Sequence, residues 1–241
     1  MKHPKTAFLT RKHFSSREDK MALFNVVEKF ISINGEGRKA GELAVFIRFK
    51  GCNLRCVYCD TLYALTSDAE SEGLSDDEIL DYVLKSKIKN VTLTGGEPLI
   101  QKDVFILIKR LIENNISVEI ETNGSILIKD FFNETIRPSF TLDYKTPDSG
   151  VCEYMCMDNY NYLNKDDTVK FVCSGITDLQ KTKEIIKEYD LTNKCNVYIS
   201  TVFGKLLPKD AVQFMIDNCM NDVKLQLQMH KYIWDKDKRG V

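Results

Sequence analysis

From Phe24 onward short apolar runs alternate with longer amphipathic ones, and this alternation constrains the fold more than any other feature of the chain. "FNVVEKFIS", "LAVFIRFK", "NVTLTGG", "SVEIETNG", "FTLDYKT", "TVKFVCSG" and "CNVYISTVF" are strand-sized and rich in Val, Ile, Phe and Thr, and "VKLQLQMH" reads as a closing strand. "SDDEILDYVLKSKI", "KDVFILIKRLIENN", "TDLQKTKEIIKEYD" and "PKDAVQFMIDNCM" read as helices. The first carries a capping box, with Ser75 as N-cap and Glu78 three residues on; the second stops at asparagines; the last opens on Pro208. An irregular stretch around "PDSGVCEYMCMDNYNYL" lies between two of the strands. Strands alternating with helices predict parallel pairing through crossovers, hence an α/β fold. In such sheets and barrels function collects at the carboxyl ends of the strands, so the turns after "VFIRF", "VTLT", "EIET", "LDYK" and "VYIS" should converge on one mouth.

A length of 241 residues suits one sizeable domain, and no repeat or low-complexity linker divides it, so residues 21–241 read as a single domain. The first twenty, "MKHPKTAFLTRKHFSSREDK", are basic and polar without the apolar core of a signal peptide. They read as a loose extension outside the chemistry, or translation begins at Met21. Lys plus Arg (34) nearly balances Asp plus Glu (35), which gives no electrostatic reason for a nucleic-acid partner. No apolar run is long enough to span a membrane. Eight cysteines without a leader argue against a disulfide scaffold and for a metal site in a reducing cytoplasm.

"GCNLRCVYCDT", directly after a strand, supplies that site: Cys52, Cys56 and Cys59 have the spacing C-x3-C-x2-C. A structural zinc wants a fourth ligand; none lies nearby, although the remote His230 stays open. A cubane iron–sulfur cluster held by three thiolates leaves one iron free for a ligand. "TGGEP", residues 94–98, follows another strand; two glycines let backbone approach a ligand closely, and a carboxylate suits an ammonium.

Together the two motifs resemble those of the radical S-adenosylmethionine (SAM) superfamily. The resemblance implies a single-domain partial (β/α) barrel with a mostly parallel sheet, a 4Fe-4S cluster on Cys52, Cys56 and Cys59, and SAM on the free iron. Electron transfer from the cluster then cleaves SAM to a 5′-deoxyadenosyl radical. Tyr58 falls where the superfamily places an aromatic beside the adenine, or it is simply core. Within the superfamily, "NGEG", Arg48, "CDT", "ETNG" and "MHKY" are similar to the motifs of 7-carboxy-7-deazaguanine synthases, from about residue 24 to the end.

That likeness implies a lyase converting 6-carboxy-5,6,7,8-tetrahydropterin to 7-carboxy-7-deazaguanine for 7-deazapurine (queuosine precursor) biosynthesis. It places Ile33, Asn34, Gly35, Glu36, Arg48, Thr94 and His230 at the substrate, with Arg48 gripping the carboxylate. It places Tyr58, Asp60, Gly95, Gly96, Glu97, Asn123, Lys145, Ser200 and Thr201 at SAM, and gives Thr61 to Mg2+. Thr61 is equally a helix cap, and a lone late histidine such as His230 is otherwise structural. A flavodoxin or ferredoxin reductant and a homodimer are implied as well.

The chain departs from the family in three places. Asn34 stands for a glutamine, "LDYK" for the usual serine-proline-lysine, and "ISTVFG" for a segment with Gln-Pro. The tail "WDKDKRGV" is longer than in some members, in which the terminal carboxylate helps hold substrate. Cys152 and Cys156, with Cys173, are spaced for an auxiliary cluster but read as free thiols; Cys195 and Cys219 read as small core hydrophobes. The other readings are a glycyl-radical-enzyme activase and a zinc-binding interaction module.

Overall fold

In the computed structural model, which describes residues 21–235 and 238–241, the predicted alternation is present. Elements in order are β1 (Leu23–Ile33), β2 (Leu43–Phe49), β3 (Glu72–Ser75), α1 (Asp76–Ser86), β4 (Asn90–Gly95), α2 (Val104–Glu113), β5 (Ser117–Thr122) and β6 (Ser139–Tyr144). Then come β7 (Thr168–Cys173), α3 (Ile176–Glu188), the one-turn α4 (Leu191–Lys194), β8 (Asn196–Thr201), α5 (Pro208–Asp217), β9 (Val223–Gln226) and the one-turn α6 (His230–Ile233). The reading of residues 1–20 as a loose extension lies outside the described residues.

The strands form one sheet in the order β3-β1-β2-β4-β5-β6-β7-β8-β9. From β2 to β9 every pairing is parallel, as the crossover argument requires. At the other end the sheet differs from that expectation. β1 pairs antiparallel with both β2 and β3. The stretch from β1 to β2 is too short for a crossover helix and folds as a hairpin, with the "NGEG" turn at its tip. β3 was not legible, because "EGLS" is short and runs directly into the capping box of α1.

Alternation along the strands decides the two faces of the sheet. Val91, Leu93, Val118, Ile120, Phe140, Leu142, Val169, Phe171, Val197 and Ile199 form a buried core with helix residues such as Ile79, Val83, Leu107, Leu111, Leu179 and Ala211. Each large side chain so buried contributes roughly 1.5–3 kcal/mol. Residues one step out of phase are Thr92, Thr94, Glu119, Glu121, Thr141, Asp143, Lys170 and Ser200, which turn to the opposite, concave face. That face is polar, and it opens at the carboxyl ends of the parallel strands.

The helix signals held. Ser75 Oγ accepts from the Glu78 N–H (3.2 Å), and the Glu78 carboxylate accepts from the Ser75 N–H (2.8 Å). α2 ends at Glu113 with Asn114 as its C-cap, followed by Asn115 at φ 60°, a left-handed position that asparagine tolerates. Two expectations need correction. α5 stops at Asp217, so Cys219, in a left-handed turn at φ 50°, is exposed rather than core. The closing strand ends at Gln226, and His230 opens α6 instead. The substitution Ser75→Ala removes a cap that also joins β3 to α1. Its expected cost is about 1 kcal/mol, measurable as a lower urea midpoint with an unchanged m-value.

Candidate active site

The cysteine loop leaves the end of β2 and is fastened on three sides. Gly51 N–H donates to Ala64 O (2.7 Å), the Val57 N–H to Ser149 O (3.0 Å), and the Tyr58 hydroxyl to Val172 O (3.2 Å) at the end of β7. Cys52 Sγ accepts from the Leu54 N–H (3.4 Å) and from Asn123 Nδ2 (3.6 Å) at the end of β5. Burial pushes the Cys56 thiol up, and the neighbouring Cys59 and Cys52 push it further against the pull of Lys145. Burial likewise raises Cys59, with Cys52 contributing. Cys52 therefore lies near enough to both Cys56 and Cys59 to oppose their ionisation. Among the described residues no group of three or more His, Cys, Asp or Glu is arranged around a single metal ion. Thiolates of a cubane each take a different iron and need no such convergence.

The glycines of "TGGEP" pack closely against protein backbone. A Cβ on Gly95, which sits at φ 145°, would lie 2.4 Å from Phe49 O; one on Gly96 would lie 2.0 Å from Gly51 O. Their close approach is to the backbone that launches the cysteine loop. Gly96 N–H donates to Phe49 O (3.1 Å) and Glu97 N–H to Gly51 O (2.9 Å), so the two motifs form one unit.

Glu97 is fully buried, and its carboxylate accepts from the Leu99 N–H (3.0 Å), the Thr122 hydroxyl (2.8 Å) and the Asn123 N–H (2.7 Å). Burial raises its pKa to about 7 against those donors. Here Glu97 acts as a strut between β4 and β5. Asn123, 7 % exposed, also donates to Asn53 Oδ1 (3.0 Å) and so holds the cysteine loop.

Across the mouth the "NGEG" turn leans over the concave face. Ile33 ends β1 opposite Leu43. Asn34 is buried; its Oδ1 accepts from the Thr92 hydroxyl (2.9 Å), and Nδ2 finds no partner among the described residues. His230 packs on Gly35, whose added Cβ would come within 3.0 Å of the ring Nδ1. Burial lowers the His230 pKa, with Glu36 opposing. Glu36 itself accepts from Lys170 Nζ (3.0 Å) and Ser200 Oγ (3.2 Å). Ser200 is fully buried and its hydroxyl donates to Glu36; Thr201 keeps partial exposure.

Arg48 pairs in register with Thr94 on β4 and with Glu28 on β1. Its Nε donates to Glu28 Oε2 (2.9 Å), which also accepts from the Tyr63 hydroxyl (2.9 Å). Among the described residues the terminal nitrogens of the guanidinium have no hydrogen-bond partner. Thr61 stands at the N-cap of a 3-10 turn yet makes no side-chain cap; its hydroxyl donates instead to Asp60 Oδ1 (2.9 Å). Desolvation raises Asp60, but the Thr61 hydroxyl and the charges of Lys231, Lys170 and Arg48 outweigh it and hold the carboxyl low. Lys145 donates to Asp143 Oδ2 (2.8 Å), while Asp143 Oδ1 is buried and has no partner among the described residues.

The end of β2, the cysteine loop, the glycine turn and β5–β8 all fall within residues 46–203, which match the family model described as the radical SAM superfamily. The 7-carboxy-7-deazaguanine synthase of Clostridium acetobutylicum is 52 % identical over 219 residues, covering 90 % of this chain and 99 % of that protein. The chain belongs to that family, within the radical SAM superfamily. The synthase of Chlorobaculum tepidum is 35 % identical over 223 residues, 91 % of this chain and 98 % of its own. The crystal structure of QueE from Escherichia coli shares the fold, with a TM-score of 0.70 at 21 % identity, over 86 % of this chain and 95 % of that one.

Membership implies a 4Fe-4S cluster and SAM, and the residues present fit both. Three thiols lie on one fastened loop, and amide donors already point at Cys52 Sγ. An orphaned carboxylate oxygen of Asp143 lies on the neighbouring strand end. The remaining cysteines are scattered. Cys173 faces away from the mouth against Thr182 (3.4 Å), Cys152 touches the Tyr144 hydroxyl (3.4 Å), and Cys195 is buried.

Glu28, Tyr63, Asp143 and Lys170 escaped the sequence reading. Lys170 had a signal, a cation inside the apolar strand "TVKFVC". Glu28 could be found only through its register with Arg48.

Gly96→Ala drives a methyl group into Gly51 O, and is expected to cost about 3 kcal/mol or more in denaturant unfolding of the metal-free chain. Glu97 supplies a pH test. Because its folded pKa lies above the unfolded value, its contribution is complete below about 4.5 and is lost as pH rises through about 7. Urea unfolding of the metal-free chain should show this as a fall on the order of 3 kcal/mol between pH 5 and pH 8 that Glu97→Gln removes.

Proposed function

We propose that this chain converts 6-carboxy-5,6,7,8-tetrahydropterin to 7-carboxy-7-deazaguanine with loss of ammonia. The observation that carries the reading is the convergence, at one mouth, of the cysteine loop with two opposed recognition groups, Arg48 and Glu36. When bound, the cluster and SAM supply the 5′-deoxyadenosyl radical that takes the substrate hydrogen atom.

The residues do the rest by positioning. Arg48, clamped through Nε by Glu28, turns its terminal nitrogens to the substrate carboxylate and binds it in two parallel bonds. Glu36 accepts from the N–H donors of the pterin ring, and Asn34 Nδ2 offers the matching donor. Ile33, Gly35, Thr94 and His230 close around the same ring. Cys52, Cys56 and Cys59 hold the cluster. Tyr58, Asp60, the Gly95–Gly96–Glu97 turn, Asn123, Lys145, Ser200 and Thr201 form the wall beside SAM. Thr61 and Asp60 are hard oxygen donors and suit Mg2+, which usually keeps several waters of its own. The catalytic unit spans residues 21–241, and the protein works as a cytoplasmic homodimer reduced by a flavodoxin or ferredoxin.

Anaerobic incubation with the carboxytetrahydropterin, SAM and reductant tests the reading directly. Product with the mass of 7-carboxy-7-deazaguanine is expected, and its absence with an intact cluster overturns the proposal. Cys56→Ala should lose both cluster absorbance and turnover. Arg48→Lys should keep the cluster and raise KM by about tenfold or more, since a point charge cannot make the paired bonds.

A further inference from the structure

Lys170 is a charged side chain rooted in the middle of the sheet, and the roles assigned above do not account for it. Its ammonium lies 3.0 Å from Glu36 Oε2 and 3.8 Å from Asp143 Oδ2, and its side chain is 12 % exposed. Burial lowers its pKa, but Glu36, Asp143 and Glu121 outweigh that and hold it above its ordinary value. Asp143 is shared with Lys145, so Glu36, Lys170, Asp143 and Lys145 form an alternating row of charges across β6 and β7.

Glu36 itself stands on a turn flanked by two glycines, where nothing in the local backbone would fix its carboxylate. It is fixed from outside, Oε2 by Lys170 and Oε1 by Ser200, both rooted on strands. Each oxygen takes one protein donor and keeps a lone pair. What remains is a two-pronged acceptor of set orientation.

We propose that Lys170 and Ser200 are positioning residues that determine specificity, holding Glu36 as a paired acceptor for the adjacent ring N–H and exocyclic amino group of a 2-amino-4-oxopyrimidine edge. This rests on the pterin reading and names the part of the substrate that the turn recognises. A 2-oxo analogue replaces the amino donor with an acceptor facing a carboxylate, and a site built to receive a hydrogen bond discriminates strongly against that change.

The test uses the cluster- and SAM-loaded enzyme under anaerobic conditions without reductant. Equilibrium binding of 6-carboxypterin is compared with that of its 2-oxo counterpart, 6-carboxylumazine. The wild type should prefer the 2-amino compound by about tenfold or more. Lys170→Met should reduce that preference to about threefold or less, chiefly by weakening the 2-amino compound, while Lys170→Arg restores most of it. Ser200→Ala should move it in the same direction by less, and Lys170→Met should add little to Glu36→Gln because the two act as one unit.

If Lys170→Met keeps the wild-type preference, or weakens both compounds equally, the inference is wrong and Lys170 is structural. Should Lys170→Met fail to fold, Lys170→Arg and Ser200→Ala decide it: an unaltered preference in Ser200→Ala overturns the inference. Wild-type enzyme that turns over the pterin but shows no 2-amino preference overturns the inference alone. Wild-type enzyme that binds neither compound and makes no product overturns the pterin reading and this inference with it.

Discussion

Two backbones meet where Gly95 and Gly96 cross Phe49 and Gly51, at a separation that leaves no room for a Cβ. Everything at the mouth is referenced to that crossing. It brings the end of β4 onto the start of the cysteine loop, and its two backbone hydrogen bonds fix the loop's direction before any side chain contributes. Glu97 then carries the restraint to β5 through Thr122 and Asn123, and Asn123 returns it to the loop through Asn53 and Cys52. The circuit is closed, its first two links backbone and the rest carried by the side chains of Glu97, Thr122 and Asn123, so three cysteines on an otherwise exposed loop are held in one place.

A second constraint is the unlike character of the two sheet faces. Parallel strands buried on both sides usually read as unbroken apolar runs. Here most alternate residues of β4 to β8 are polar, and the concave face accumulates Glu119, Glu121, Asp143 and Lys170 beside threonines and serines. Placing charges on a half-buried surface is unfavourable unless they are paired. Most are paired: Arg48 with Glu28, Lys170 with Glu36 and Asp143, Lys145 with Asp143. The polar atoms left without partners among the described residues, Asn34 Nδ2, Glu119 Oε2, Asp143 Oδ1 and Ser32 Oγ, include two at the mouth, where a bound ligand would meet them.

Most elements were legible because their signals are local. Ser75 and Glu78 specify the start of α1 within four residues, and "VTLT" or "VKFV" declares a strand by composition and alternation. β3 escaped because four residues carry no period, and Cys219 was misplaced because a helix end in a left-handed turn leaves the apolar pattern looking continuous. The close packing of the "TGGEP" glycines on protein backbone was not legible, because it is a contact between segments more than forty positions apart. Thr61 was ambiguous between a cap and a ligand, and only the direction of its hydroxyl removed the cap.

By itself the amino-acid order determined the α/β alternation, the chemistry of the cysteine loop and the family to which the chain belongs. Those depend on residue type at short spacing, which needs no distant partner to be read. Tertiary structure alone decided that β1 turns back on β2, that Ser200 serves Glu36, that Glu28 clamps Arg48, and that Lys170 rather than a neighbour in sequence fixes the acid of the "NGEG" turn. Each of these is a meeting across strands, and its partner is chosen by register and by the curvature of the sheet, neither of which is written in any short stretch of the chain.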